Sequence, residues 1–232
     1  LCHDVGHPGR NNAFFSNALD PLALLYNDRA VLENYHSCLT FKTLEKPDCD
    51  LFAALRTREY LIVRSQIIEL ILATDMKGHF ETVSRFRVRR SAPDFDLYSE
   101  EDFWFLAKMI IKAADISHCG VEWGEHFEWC QRVLNEFYNQ GDEERLRSLP
   151  ISPLCDRDKH ADAPKSQMGF INFVAKPLFD ELAAVDIGGA VEAAAAAAVA
   201  VVCLLWQLLQ LLQQQHAYSS VQQHLMAANY KY

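Results

Sequence analysis

The fold of this chain is constrained most strongly by its helical periodicity, because no strand-like pattern stands out along it. Stretches of helical length follow one another and are separated by short clusters of Pro, Gly and Asp. Apolar residues at three- and four-residue spacing indicate amphipathic helices, and those clusters mark helix ends. Many helices without strands predict an all-α fold, a compact multi-helix bundle. With 232 residues, half of them hydrophobic, the chain can bury one sizeable core.

The helix boundaries follow from the same pattern. The shorter helices are predicted over residues 12–19, 21–26 and 29–39. The longer helices are predicted over residues 56–86, 100–118, 121–140 and 165–184. We expect Gly141 to end the helix over 121–140, and three prolines to keep residues 148–164 in a loop.

Charge and cysteine content exclude several classes of function. The net charge of -9, from 22 basic and 31 acidic residues, argues against nucleic-acid binding, which needs clustered Lys and Arg. The one basic cluster, residues 85–90, lies near Asp94 and Asp96 and is predicted to be an exposed surface turn. Seven cysteines without a CxxC pair argue against a disulfide framework or a cysteine zinc site. Reduced thiols in a cytoplasmic protein are the favoured interpretation.

The composition changes near Ile187, which divides the chain into residues 1–186 and an atypical Ala/Leu/Gln-rich tail over 187–232. No charged residue occurs from Ala193 through Gln215. A membrane span needs about 20 apolar residues, and Gln207 and Gln210 interrupt this stretch. A hydrophobic helix packed on the domain is therefore favoured over a membrane anchor, and a low-complexity stretch without native structure is a further alternative.

Histidines and carboxylates recur within apolar helical segments, where a carboxylate is costly unless it is paired or bound to a metal. The four clusters are His3-Asp4 with His7, Glu33 with His36, Asp75 close to His79, and Asp115. Any single acid could cap a helix or pair with an arginine. Four such clusters together favour a binuclear metal centre that hydrolyses its substrate.

Six segments carry a more specific signal: CHDVGHPGRNNAF, LALLYNDRAVLENYH, ILATDMKGHF, AADISH, NEFYNQGDEER and SQMGFINFVAKPLF. In sequence, order and spacing they resemble successive signature segments of the class I cyclic-nucleotide phosphodiesterases, a family of the HD superfamily. The resemblance covers about residues 1–185. It implies an all-α catalytic domain that hydrolyses cAMP, cGMP or both to 5′-monophosphates in signal transduction. Regulatory domains outside this chain are possible partners.

The resemblance also implies two divalent metal ions, Zn²⁺ and Mg²⁺ or Mn²⁺, with a bridging hydroxide that attacks phosphorus. The implied metal ligands are His3, Asp115 and Asp4, the last of which bridges the two ions. The residues implied to orient the waters of the second ion are His7, Glu33 and Thr74.

The nucleotide base is implied to bind between an aromatic ring and an apolar side chain. Gln167 is expected to hydrogen-bond the purine, and Phe170 is expected to stack on it, opposite Val133. Leu154 is expected to wall the pocket. His118 stands where many relatives carry Asn, and its ring can donate or accept a hydrogen bond. The expectation is therefore cAMP or dual specificity.

Two departures from the family pattern qualify these implications. A segment of the type HNxxHAxDV, which carries the general-acid histidine and the fourth zinc ligand, is absent from the sequence. Losing a general acid costs about 10²–10⁴ in rate, so the chain alone is expected to be nearly inactive. After Leu182 the Ala/Leu/Gln tract replaces the charged last helix of the family.

The sequence leaves three alternatives to a cyclic-nucleotide phosphodiesterase open. The first is a truncated, non-catalytic remnant that binds nucleotide or a partner domain. The second is another HD-superfamily phosphohydrolase, a class that lacks the SQMGF and VLENYH segments present here. The third is a membrane-anchored protein, which rests on residues 193–212 alone.

Overall fold

The computed structural model describes residues 2–185, and this part of the chain contains helices and turns but no strand. The α-helices are α1 (Asn12–Asn17), α2 (Pro21–Leu25), α3 (Val31–Leu44), α4 (Thr57–Leu72), α5 (His79–Arg90), α6 (Glu100–Asp115), α7 (Trp123–Leu146), α8 (Ala163–Phe170) and α9 (Lys176–Ala183). Single 3-10 turns cover Pro47–Cys49, Met76–Gly78, Ser117–Gly120 and Arg157–Asp162, and a π turn covers Ile171–Ala175. The predicted all-α fold is confirmed.

The first helices begin where polar side chains cap them. The Asn11 side chain accepts a hydrogen bond from the Phe14 amide at the start of α1. Asp20 caps α2 in the same way, with Pro21 at the first helical position. Such caps satisfy amides that have no partner within the helix, and proline suits the first turn because it lacks an amide hydrogen. The helices predicted over 12–19 and 21–26 are confirmed to within two residues, whereas the one predicted over 29–39 covers Val31–Leu44.

The long helix predicted over residues 56–86 is wrong, because the chain breaks between α4 and α5. The Thr74 hydroxyl donates to the Ile71 carbonyl oxygen over 2.7 Å. The Asp75 carboxylate accepts from the Lys77 amide over 2.8 Å. Such local side-chain bonds compete with the helical ladder and favour a turn. Thr74 and Asp75 therefore lie in a turn and not within a helix.

Gly141 does not end α7, contrary to the prediction, since that helix continues to Leu146. A Cβ atom added at Gly141 would lie 1.9 Å from the carbonyl oxygen of Cys155. The glycine is needed for the close approach of the loop that follows α7. Conformational freedom and close approach both select glycine, so the sequence alone does not separate the two causes.

The main core joins α5, α6 and α9. It contains buried apolar side chains from all three helices, namely Val83, Phe86, Leu106, Met109, Ala113 and Leu178. Phe170, at the end of α8, packs against the edge of this cluster. The core thus ties the SQMGF segment to α6, the helix that ends at Asp115.

The basic run over residues 85–90 is not an exposed surface turn, as predicted, but the last part of α5. Arg89 holds the fully buried Asp102 of α6 through two bonds of 2.6 and 2.7 Å. Arg87 and Arg90 both bind the buried Glu181 of α9, over 2.5 and 2.8 Å. The arginines therefore connect three helices, because each buried carboxylate needs a cationic partner.

The tail predicted over residues 187–232 lies outside the described residues, as does the possible membrane anchor over 193–212. Within residues 2–185, none of the helices combines the length and apolar character that crossing a membrane requires. The six cysteines of that part of the chain are free thiols, as predicted.

Replacing Gly141 by Ala should lower the free energy of unfolding by about 1–3 kcal/mol, because the new methyl group overlaps the Cys155 carbonyl. Gly124→Ala is the matched control in the same helix, since nothing lies within 4 Å of a Cβ atom there. That control should leave stability unchanged or raise it by up to about 1 kcal/mol. Urea denaturation measures both, and equal effects would contradict the close approach at Gly141.

Asp102→Asn should destabilise the domain by about 2–3 kcal/mol, because Asn is a weaker acceptor for Arg89 and brings donors of its own. Asp180→Asn makes the same chemical change in an exposed α9 pair with Lys176 and should cost less than about 0.5 kcal/mol. Thermal unfolding measures both variants.

The pH dependence gives a second readout for Asp102. The hydrogen bonds from Arg89 hold the pKa of the Asp102 carboxyl below its usual value. The contribution of charged Asp102 to the free energy of unfolding is therefore fully present above the pKa that this carboxyl has in the unfolded state. It is lost as pH falls through the lower pKa that the carboxyl has in the folded state. The unfolding temperature of Asp102→Asn should converge on that of the parent in acid. A constant difference down to pH 3 would argue against this pair.

Candidate metal centre and nucleotide pocket

The His3-Asp4 pair enters a tight turn that packs against α3. Gly6 has a φ of +73°, and a Cβ atom there would lie 2.4 Å from the Leu39 side chain. A residue without a side chain is required on both grounds. The turn is fixed further by His36, whose Nδ1 lies 2.8 Å from the Val5 carbonyl oxygen. The HD pair is thereby placed beside the middle of α3.

Three predicted metal ligands converge at this turn. His3 Nε2 lies 3.1 Å from Asp115 Oδ1, although 112 positions separate the two residues in sequence. The same nitrogen lies 3.5 Å from Asp4 Oδ2. One donor atom from each of the three residues falls within 4.8 Å of the other two. The structure therefore brings together the residues that the sequence predicted as ligands.

The donor set suits a divalent cation. Imidazole nitrogen and carboxylate oxygen are ligands for Zn²⁺, and carboxylates also serve Mg²⁺ and Mn²⁺. The hydrogen bond that the protonated His3 ring donates to Asp115 raises the pKa of His3 above its usual value. A ligating imidazole must be neutral, so cation binding here would displace a proton from His3. The residues present fit the metal that the sequence predicted.

His36 belongs to the same cluster, although the sequence suggested only that it shares a helix face with Glu33. Its ring is almost fully buried, and its Nε2 lies 3.8 Å from Asp4 Oδ1. Because its Nδ1 faces the Val5 carbonyl, Nδ1 carries the proton and donates it, which leaves Nε2 as an acceptor. Burial lowers the pKa of His36, so the ring is neutral at neutral pH.

His7 lies on the solvent side of this cluster. Its ring stacks on that of His36 with 5.8 Å between centroids. Its Nδ1 accepts a hydrogen bond from the Gly9 amide over 3.1 Å, which leaves Nε2–H as the donor. The ring is exposed and can therefore meet a ligand or its water. Its predicted role in orienting water stays a prediction.

Glu33 is held by Asn12, a residue that the sequence reasoning did not single out. Asn12 Nδ2 donates to both carboxylate oxygens of Glu33, over 2.9 and 3.3 Å. Asn12 Oδ1 accepts from the Leu32 amide over 2.9 Å, which fixes the orientation of its amide group. Burial raises the pKa of Glu33, and the bonds from Asn12 act against that rise. Asn12 thus keeps a partly buried carboxylate in place and favours its charged form.

Thr74 and Asp75 lie in the turn between α4 and α5, where the charge of Asp75 acts on Glu33, and the predicted role of Thr74 stays a prediction. Lys112 of α6 secures this turn, because its Nζ donates to the Ala73 carbonyl over 2.8 Å. Lys112 is nearly fully buried, and burial lowers its pKa. Three carboxylates, of Asp115, Asp75 and Glu33, oppose that shift. The sequence signal for Lys112 was a cation in an apolar run, three residues before Asp115, although Lys108 lies in the same run.

The predicted base-binding residues Gln167 and Phe170 lie on α8, where both are half-buried. The Cys130 thiol donates to Gln167 Oε1 over 3.3 Å. Burial raises the pKa of Cys130, so its thiol is protonated and able to donate. The His118 ring stacks on Phe170, with 6.2 Å between centroids and 15° between planes. His118, Gln167 and Phe170 are thereby brought into one neighbourhood.

The other two predicted pocket residues remain predictions. Val133 is half-buried on α7. The Leu154 side chain is 58% exposed. A cavity of about 450 Å³ opens between α7 and the loop after it, lined by Gln131, Leu134, Asn135, Tyr138 and Arg157. None of the five predicted base-binding residues lines it, so this cavity gives no support to a nucleotide site.

Comparison with known proteins identifies the class. The model of the 3'5'-cyclic nucleotide phosphodiesterase family covers residues 1–191. The chain therefore belongs to that family.

Individual relatives agree with the family match. The dual 3',5'-cyclic-AMP and -GMP phosphodiesterase beta of Plasmodium falciparum is 55% identical over 80% of this chain and 16% of its own length. The cGMP-specific phosphodiesterase alpha of the same organism is 43% identical over 78% of this chain and 19% of its own length. The 3',5'-cyclic-nucleotide phosphodiesterase regA of Dictyostelium discoideum is 40% identical over 79% of this chain and 23% of its own length. The chain thus spans less than a quarter of the length of these three relatives.

Asn12→Asp should destabilise the domain at neutral pH by about 2 kcal/mol, since it replaces a donor to Glu33 by a second carboxylate. The loss should shrink below about pH 5, where two adjacent carboxylates share a proton. Thermal unfolding between about pH 4 and pH 8 measures the effect. Adding Glu33→Gln to Asn12→Asp restores a donor–acceptor pair and should recover much of the loss. Additive losses from the two substitutions would show that the pair is not coupled.

Proposed function

We propose that this chain forms most of a catalytic domain that hydrolyses 3',5'-cyclic nucleotides to 5'-monophosphates. The observation that carries the proposal is the convergence of His3, Asp4 and Asp115 in a member of this family. Donors that are 112 positions apart in sequence and meet within hydrogen-bond distance are suited to a common ligand. Hydrolysis of a phosphodiester is the reaction for which paired divalent cations are suited.

The metal site proposed here consists of His3, Asp4 and Asp115, with Zn²⁺ as the first ion and Mg²⁺ or Mn²⁺ as the second. When bound, two such cations supply a water of lowered pKa and neutralise the charge that develops on the phosphate. His36 stands beside Asp4 as a neutral acceptor and limits the positions open to that carboxylate. A fourth ligand and the general acid are proposed to come from the histidine-bearing segment expected upstream.

The residues around this centre would orient water and substrate. Glu33, held by Asn12, offers a fixed carboxylate, and Thr74 offers a buried hydroxyl whose oxygen can still accept a hydrogen bond. His7 offers an outward Nε2–H to the same region. These side chains would hold protons and waters at defined positions, which is how residues beyond the ligands tune a metal site.

The purine would bind at Gln167 and Phe170. Because the Cys130 thiol donates to the amide oxygen of Gln167, the amide nitrogen is left to donate to the base. Adenine and guanine both present acceptors on their edges, so this arrangement serves both cyclic nucleotides. We therefore propose cAMP or dual specificity, and the name of the Plasmodium falciparum relative, which describes both substrates, supports the dual case. The free thiols support a cytoplasmic site of action.

Hydrolysis of cAMP and cGMP tests the proposal, with Zn²⁺ and Mg²⁺ present. We would assay the 232-residue chain beside a version extended through the upstream histidine segment. The extended version should hydrolyse cyclic nucleotide, and Asp115→Asn should reduce its rate by about 10²-fold or more, because a ligand is lost. Asp180→Asn, on the exposed surface of α9, is the matched control and should leave the rate unchanged.

The other outcomes of this assay distinguish between the remaining interpretations. Activity in the short chain, abolished by Asp115→Asn, would show that the proton comes from a histidine within residues 1–232. Folded but inactive protein in both versions would favour the non-catalytic interpretation, in which the domain binds nucleotide or a partner without turnover. Activity that survives Asp115→Asn would overturn the metal site proposed here.

A further inference from the structure

His79 is a buried histidine to which neither the proposed metal centre nor the proposed base pocket gives a role. It is 1% exposed and is the first residue of α5, directly after the 3-10 turn Met76–Gly78. Its Nε2 lies 3.1 Å from the Val174 carbonyl oxygen, 95 positions away in sequence. A carbonyl can only accept, so Nε2 carries the proton and donates it. The ring thus joins the turn before α5 to the segment that follows α8.

The segment that receives this bond is an unusual stretch of helix. Residues Ile171–Ala175 form a π turn between α8 and α9, and the Lys176 amide bonds the Ile171 carbonyl, five residues back. Such turns bend a helix and are frequent at functional sites. Pro177 follows directly and has no amide hydrogen to give to the helical ladder. The backbone bonds of this stretch are therefore few, and a bond from His79 adds to its definition.

The other end of the bond is well anchored. The Thr82 hydroxyl donates to the Gly78 carbonyl over 2.8 Å, and Lys112 Nζ donates to the Ala73 carbonyl over 2.8 Å. Both bonds hold the backbone just before His79. The imidazole therefore presents its N–H from a fixed position.

A role as core filler does not account for this ring. Among the described residues, His79 Nδ1 is buried without a hydrogen-bond partner. Burial and the charge of Lys112 lower the pKa of His79, so the ring is neutral and has one N–H to donate. A buried acceptor without a partner lowers stability, and an apolar side chain of similar size avoids that loss. The presence of a histidine is therefore explained by the bond that Nε2 makes.

We propose that His79 is a positioning residue for the purine, a role that rests on the proposed function. Phe170 lies four residues before Val174, and both pack against the edge of the main core. Holding the Val174 carbonyl fixes the π turn, and the π turn sets the direction in which α8 leaves the core. Phe170 and Gln167 on α8 therefore meet the base in one orientation, while His79 itself touches no ligand.

Hydrogen exchange tests the structural part of this proposal without nucleotide. His79→Leu removes the donor and keeps an apolar side chain, so amides of residues 171–179 in the full chain should exchange faster by roughly three- to tenfold. His79→Gln keeps a side-chain N–H and should restore slow exchange. Phe80→Leu is the matched control, because it removes the ring that packs edge-on against His79, with 5.4 Å between centroids, and leaves the bond to Val174 in place.

Three results of that experiment would contradict the proposed bond. The first is unchanged exchange over residues 171–179 in His79→Leu. The second is an equal effect of Phe80→Leu, which would assign the effect to packing around the ring. The third is equally faster exchange over residues 103–113 of α6, which would make His79 a general core residue.

The affinity for 5'-AMP, with Zn²⁺ and Mg²⁺ present, measures the consequence for the purine. His79→Leu should weaken AMP binding by roughly three- to tenfold, and His79→Gln should bind AMP like the parent. In the version extended upstream, His79→Leu should raise KM for cAMP by a similar factor and leave kcat within about twofold, because only the base is misplaced. A lower kcat with unchanged KM would overturn the positioning role.

The two measurements separate this proposal from the proposed function. Faster exchange in His79→Leu with unchanged AMP affinity would overturn the positioning role and leave the proposed function intact. Failure of AMP to bind to the parent chain would overturn the proposed purine site instead. The exchange rates would still decide whether His79 holds the π turn.

Discussion

The contact between His3 and Asp115 is the interaction on which the candidate site depends, because it joins the N-terminal turn to the end of α6. Around it stand the carboxylates of Asp4, Glu33 and Asp75, opposed by the buried cation of Lys112. Like charges near one another repel, and their burial is costly unless a cation joins them. The divalent ions proposed here would offset that repulsion, so their binding should stabilise the fold.

The sequence predicted the all-α class and the positions of most helices, because helical periodicity and capping residues act locally. It failed where tertiary contacts decide the outcome. A glycine stands at position 141 inside α7 because the Cys155 backbone packs against it, and the break after α4 depends on side-chain bonds of Thr74 and Asp75. The arginines of α5 were mistaken for an exposed turn because their partners, Asp102 and Glu181, lie on other helices.

The sequence predicted those residues of the candidate site that belong to recognisable motifs. His3, Asp4 and Asp115 were named from sequence and converge in the structure. Asn12 and Lys112 were missed because their roles are to hold Glu33 and the Ala73 carbonyl, and no spacing rule reveals such long-range partners. The residues proposed to wall the base pocket, Val133 and Leu154, depend on the surface that a bound nucleotide would meet, which sequence patterns do not describe.

The proposed metal centre and the proposed base pocket are joined by one short turn. His118 lies three residues after Asp115, in the 3-10 turn Ser117–Gly120. The His118 ring stacks on Phe170, and Asp115 Oδ1 lies 3.1 Å from His3 Nε2. A shift of this turn would therefore move residues of both proposed sites, because the backbone between Asp115 and His118 is too short to absorb it.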